Sequence, residues 1–151
     1  MLMTRLLARL TLCLAVLAAP AGAQNLFAPA IEVNEDVITR YELQQRLAFL
    51  EVVSPLAASE ERARESLIDD RLRQQAVAQF GLTASEDQVL TAMSEFAARG
   101  GLELEQFLGA LRAQGISEET FRDFVSVGIG WRDLIRGRFG NRVEITEADI
   151  D

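Results

Sequence analysis

Paired carboxylates are the residues of this sequence whose type and spacing could do chemistry: Glu60-Glu61, Asp69-Asp70 and Glu118-Glu119. Two acids in one site can share a proton and divide the work of general acid and base. Their positions point elsewhere. Glu60-Glu61 and Glu118-Glu119 fall in the first turns of predicted helices, where negative charge opposes the positive end of the helix dipole. Asp69-Asp70 lies mid-helix among arginines, with Glu65 and Arg73 at helical spacing, and reads as a solvated ion-pair face. Histidine is absent, which removes the commonest proton-transfer group and the commonest neutral metal ligand. The single cysteine, Cys13, sits in an apolar N-terminal run, so the rest of the chain has no thiol nucleophile, disulfide or thiolate metal site. No glycine-rich phosphate loop, EF-hand loop or nucleophile elbow is present. The sequence therefore assigns no catalytic residue, no metal ligand and no cofactor.

Binding through apolar side chains is the chemistry that remains. The candidates are Phe49, Met93, Phe96, Phe107, Leu111, Phe121 and Phe124. A concave apolar surface can take many extended segments without a fixed register. Burying one Phe or Leu side chain contributes roughly 1.5 to 3 kcal/mol, so two or three contacts give weak, reversible holding after ordering costs. For any single one of these residues the competing reading is core, because an aromatic stripe at helical spacing ordinarily faces a core. The expectation attaches to the group.

The elements that must position them are mainly helical. After a lead over residues 24–30, Ile31 to Ile38 places β-branched residues on both sides of Asn34-Glu35-Asp36 and predicts a β-hairpin. About five helices follow. Thr39 and Glu42 form a capping box, in which each side chain satisfies the other residue's backbone donor. Leu43, Leu47 and Leu50 make the stripe of this first helix, which stops near Val53 because Pro55 disfavours helical geometry at Ser54. The second runs from after Ser59 to Phe80, with Ala63, Leu67, Ile68, Leu72, Ala76 and Phe80 on one face and Gly81 as its cap. Ser85 and Gln88 box the third, which carries Val89, Met93, Phe96 and Ala97 and ends at Gly100-Gly101. A short fourth helix carries Phe107, Leu108 and Leu111 and stops at Gly115; Glu103 is a poor cap for it. Ser117 opens the fifth, with Phe121, Phe124, Val125 and Ile129 on its stripe, continued by Trp131 and Ile135. Gly128 and Gly130 each cost it about 1 kcal/mol relative to alanine, which weakens its continuity unless they permit a close helix contact. The alternation of Arg142 to Ile145 predicts a strand, and Thr146 to Asp149 a further helix start, so the 151 residues read as a piece of something longer.

Residues 1–23 have the layout of a secretory signal peptide. Arg5 and Arg9 precede the apolar run Leu10 to Ala19, and Pro20 breaks it before Ala21-Gly22-Ala23, with cleavage expected after Ala23. The run is too short to span a bilayer, which takes about 20 apolar residues. Losing Arg5 and Arg9 moves the formal charge from −8 to −10, with arginine as the only fixed cation, since lysine is absent. So acidic a chain argues against nucleic acid and anionic membrane as partners, while resisting self-association around an exposed apolar groove.

In this order of elements, Ile31 to Asp151 resembles the N-terminal domain of SurA-type periplasmic chaperones. The resemblance rests on Val33-Asn34-Glu35-Asp36-Val37-Ile38-Thr39, on Leu67-Ile68-Asp69-Asp70-Arg71-Leu72, and on Gly81 to Val89. Gly115-Ile116-Ser117 with Phe121-Arg122, and Val143-Glu144-Ile145-Thr146, extend it. It implies a helical chaperone domain over residues 31–142, with 143–151 as the start of a link toward downstream isomerase domains. It implies a periplasmic location, unfolded outer-membrane β-barrel proteins or aromatic-rich peptides as clients, and no isomerase activity in these residues. A helix from the far C-terminus completes the domain in that family, which implies an uncovered apolar face here. Other readings stay open: the client-binding part of a full-length prolyl isomerase, an assembly module docking to one folded envelope partner, or a membrane-anchored foldase.

Overall fold

A computed structural model describes residues 25–140. The signal-peptide reading of 1–23 and the strand-and-cap reading of 142–149 lie outside the described residues. Within them the chain is mainly α, with one antiparallel hairpin and five helices. The hairpin pairs β1 (Pro29–Val33) with β2 (Asp36–Thr39). Its two-residue turn puts Asn34 at φ 57°, a left-handed conformation that asparagine tolerates and that matches the twist of the strands. Asp36, expected in the turn, instead opens β2, and β1 begins two residues before Ile31, in the expected lead.

The helices are α1 (Arg40–Val53), α2 (Glu60–Gln79), α3 (Glu86–Arg99), α4 (Leu104–Ala113) and α5 (Glu118–Phe139). Both capping boxes form: Glu42 N–H donates to Thr39 Oγ1 at 3.2 Å, and Gln88 N–H donates to Ser85 Oγ at 3.3 Å. The reciprocal bonds run from Thr39 N–H to Glu42 Oε2 at 2.7 Å and from Ser85 N–H to Gln88 Oε1 at 2.8 Å. At α4, Gln106 Oε1 accepts from the Glu103 N–H at 3.0 Å. Three helices stop in the same way. Gly81, Gly101 and Gly115 take φ of 63°, 73° and 73°, each followed by an apolar residue whose N–H returns to the last helical turn. Glu60-Glu61 and Glu118-Glu119 sit exposed in the first turns of α2 and α5.

The hairpin clasps the ends of α1 and α2. Ile38 and Val33 close with Leu67 into a small cluster supported by Leu43 and Ile68. Gln75 Nε2 donates to Val33 O at 3.1 Å and to Asp36 Oδ2 at 2.6 Å, and Asn34 Nδ2 donates to Gln75 Oε1 at 2.7 Å. Gln45 on α1 stitches the α4–α5 turn by donating to Gly115 O at 2.9 Å and accepting from Ser117 N–H at 2.7 Å.

Helix α5 is the central element and packs on all four other helices. It runs unbroken through both glycines. Gly130 is the close-contact glycine: a Cβ there would come within 3.1 Å of Val77 Cγ1 on α2, whereas one at Gly128 would meet nothing within 4 Å. The two alanine variants should therefore diverge. Gly128→Ala is expected to stabilise the fold by up to about 1 kcal/mol, the helix-propensity gain. Gly130→Ala loses that gain to crowding and ends at or below the parent, as paired urea midpoints would show.

Three stripes differ from the sequence reading. On α1 the fully buried residues are Arg46 and Phe49, with Leu43, Leu47 and Leu50 half-buried, because α1 is wedged between α2 and α5 and buries two faces. On α5 the stripe continues through Leu134, 8% exposed, and Ile135 is turned outward at 37%. Leu72 and Phe80, read as core on α2, are 45% and 50% exposed, because Leu72 lies on the face of α2 opposite the buried Ala63, Leu67 and Asp70, and Phe80 follows the last helical turn, where Arg138 lies 4.9 Å over its ring.

Candidate functional site

Five phenylalanines from α1, α3, α4 and α5 form one connected ring cluster. Phe121 stands at its centre, with ring centroids 5.0 Å from Phe107, 5.2 Å from Phe96 and 5.8 Å from Phe49; Phe124 lies 5.3 Å from Phe49. The offset and edge-on contacts suit the ring quadrupoles and fix each ring against its neighbours. Met93 and Leu111 complete the same core, both fully buried.

This placement divides the seven candidates. Phe49, Met93, Phe107, Leu111 and Phe121 are closed off in the core at 8% exposure or less, so in the folded domain they cannot touch a bound segment. Helical spacing directs them inward, where α1, α3, α4 and α5 pack together around them. Phe96 and Phe124 are half-buried. Their rings, 6.1 Å apart and close to perpendicular, lie where the cluster reaches the surface.

That edge is the floor of an open groove of about 310 Å³ between α2, α3 and α5. From α5 it takes Phe124, Gly128 and Arg132, one helical turn apart, and from α3 it takes Ala92, Phe96 and Arg99. Gly128, lacking a side chain, leaves the middle of the floor open. Arginines line the mouth: Arg99 lies 5.2 Å over the Phe96 ring, and Arg73 lies 5.9 Å over Trp131. The sequence reading did not assign Gly128 or Arg132 to a site, although the i, i+4, i+8 spacing of Phe124, Gly128 and Arg132 could have placed them beside the aromatic stripe.

Beneath the groove a polar layer joins α1, α2 and α5. Arg46 Nη1 pairs with Asp70 Oδ2 at 2.7 Å, with both side chains under 10% exposed, and donates to Ser66 Oγ at 2.7 Å. The Arg46 guanidinium also lies 5.3 Å over the Phe124 ring and so backs the groove floor. This corrects the reading of Asp69-Asp70 as a solvated face: Asp69 is solvated and Asp70 is buried, because α1 lies across that side of α2. Burial pushes the Asp70 carboxyl above its ordinary range, against the pull of Arg46 and Arg73. On α5, the Asp123 carboxyl is raised by desolvation and by the neighbouring Glu119 and Glu42, against Arg71 and Arg46. Glu42, which caps α1, also pairs with Arg71 on α2. Among the described residues no helix is long and apolar enough to cross a membrane.

Hairpin, five helices and phenylalanine core define a mainly α domain whose candidate site is a groove with an aromatic floor and an arginine-lined mouth. Comparison with known proteins places it: the family model described as the SurA-like N-terminal domain matches residues 3–134, and the chain belongs to that family. It is 30% identical over 141 residues to the Chaperone SurA of Nitrosospira multiformis, covering 88% of this chain and 32% of that protein. It is 33% identical over 127 residues to the Chaperone SurA of Methylobacillus flagellatus, covering 79% and 29%. To the Chaperone SurA of Pseudomonas aeruginosa it is 29% identical over 126 residues, covering 78% and 30%. The chain thus spans about a third of the length of these curated relatives. What matches is the SurA-like chaperone domain, with no isomerase domain in the matched region.

Proposed function

We propose that this domain is the client-binding part of a periplasmic chaperone, exported with cleavage after Ala23, that holds extended, aromatic-rich segments of unfolded outer-membrane β-barrel proteins. The domain proper is residues 31–142, preceded by the lead 24–30, and 143–151 begin a link toward a further domain. One observation carries the reading. Phe96 and Phe124 are the exposed edge of a cluster locked from behind by Phe49, Phe107 and Phe121, so the floor is rigid and needs little ordering when a segment lands on it. Gly128 leaves room between the walls for an incoming side chain. Chemistry at the site would need a reacting group; holding needs only apolar area and access.

The test is aggregation of a denatured β-barrel protein, followed by light scattering after dilution from urea. The folded chain starting at Gln24 is expected to delay aggregation at a few-fold molar excess. Gly128→Leu, which fills the groove from a helix position open to solvent, is expected to abolish the delay while circular dichroism stays unchanged. Gly109→Leu adds the same bulk to α4 outside the groove and should leave the delay intact. No delay from the folded parent, or an equal delay from Gly128→Leu, would overturn the proposal.

A further inference from the structure

The groove mouth is basic in an acidic chain. Three helices each bring an arginine to it, Arg73, Arg99 and Arg132, against Glu95 as the exposed acid on the same rim. The other acid there, Asp70, is held by Arg46 at 2.7 Å. Arg73 reaches Asp69 and Asp70 only at 3.9 and 3.8 Å. Arg99 and Arg132 have no carboxylate within 4 Å among the described residues, although the chain carries 23 acids against 15 arginines. Elsewhere on the surface such acids are used: Arg122 holds Glu86 at 2.7 Å, and Arg112 pairs with Glu105. An arginine stacked on a ring, as Arg99 is on Phe96, keeps its edge free, and that planar edge of N–H donors matches a carboxylate.

Resting on the client-holding reading above, we infer that the groove selects extended segments carrying an Asp or Glu side chain two residues from an aromatic ring. The ring lies against Phe96 and Phe124 over Gly128, and the carboxylate sits between Arg99 and Arg132. The spacing follows from strand geometry. In an extended chain residues i and i+2 share a face and stand about 6.5 Å apart, so a carboxylate two residues from a ring on Phe96 and Phe124 falls on the rim where Arg99 lies over Phe96. Net negative charge elsewhere on the chain would repel such a segment, so the arginines also steer it to this one place.

The experiment uses three short fluorescein-labelled peptides, identical in length and in phenylalanine content, with Glu, Gln or Lys two residues after the ring. Fluorescence anisotropy with the chain from Gln24 is expected to rank them Glu over Gln over Lys. The Glu advantage over Gln should be about fivefold at low salt, the scale of a partly exposed ion pair, and should vanish at high salt. The double variant Arg99→Glu with Arg132→Glu changes two exposed side chains and is expected to reverse the order, so that Lys ranks first. Equal binding of the Glu and Gln peptides, a preference for Lys by the parent, or an unchanged order in the variant would overturn the selectivity and leave the groove as a binding site. Failure of all three peptides to bind, or binding unaffected by Gly128→Leu, would overturn the groove reading and this inference with it.

Discussion

Replacing Asp70 by alanine is expected to destabilise the domain by about 3 to 5 kcal/mol, the range for a buried pair that loses one member. Arg46 would remain with its side chain 4% exposed, left with Ser66 Oγ at 2.7 Å and the Phe124 ring at 5.3 Å as its neighbours. Neither neutralises the charge. A polar cavity of about 50 Å³ beside the pair, lined by Glu42, Gln74, Thr120 and Asp123, has room to hydrate the orphaned guanidinium, which places the loss at the lower end. Removing both charges is a different matter. Arg46→Met with Asp70→Leu keeps the volume and abolishes two desolvation costs, so the double variant is expected to lie within about 1 kcal/mol of the parent. Urea unfolding of the parent, the single and the double variants checks this; additive losses would show that the pair is not coupled.

The pH dependence carries a sign opposite to that of the usual paired carboxylate. Asp70 is raised in the folded state, by desolvation in excess of the pull of Arg46 and Arg73. The folded protein therefore binds this proton more readily than the unfolded chain does. Its contribution is fully present below the unfolded aspartate pKa of about 3.9 and is lost as pH rises through the folded value. Acidification from neutrality toward that range should add to parent stability through this group. The double variant should lack that part of the gain.

Phe121→Ala is the second large effect, expected to cost about 3 to 5 kcal/mol. The side chain is fully buried and touches the rings of Phe49, Phe96 and Phe107, which are held by three different helices and cannot all collapse into the space. A domain of this size has only about 5 to 15 kcal/mol of stability, so the variant stands near the edge of unfolding at room temperature. Phe121→Leu restores much of the volume and should recover about half the loss. Phe124→Ala, at a half-buried position, should cost less than Phe121→Ala. Denaturation midpoints for the three variants rank them. Equal losses at Phe121 and Phe124 would mean that the surface edge is as tightly packed as the centre, contrary to the burial pattern.

The local architecture was legible because its determinants act over three or four residues. A Thr39–Glu42 or Ser85–Gln88 box closes with no help from the rest of the chain. Gly81, Gly101 and Gly115 stop helices because a left-handed residue is needed there and glycine adopts it freely. The hairpin needed only two short β-branched runs and an asparagine able to turn. The apolar periodicity likewise fixed five helices, and the motif order pointed to the family the comparisons then showed.

What periodicity could not decide was which of several equivalent faces the neighbours would cover. Asp69 and Asp70 differ by one position and 100° around a helix; α1 lies over one of them and leaves the other in water. Gly128 and Gly130 are equally costly to an isolated helix, yet one receives Val77 and the other opens a groove. The phenylalanines carry identical side chains at similar spacing, and only the way α1, α3 and α4 close around α5 buries Phe49, Phe107 and Phe121 while leaving the edges of Phe96 and Phe124 exposed. Residue type and spacing determine that a helix forms and which stripe is apolar, because those are short-range properties of the backbone. The depth of a side chain, the partner of a charge and the existence of a groove depend on helices far apart in sequence, and so the tertiary structure alone decided them.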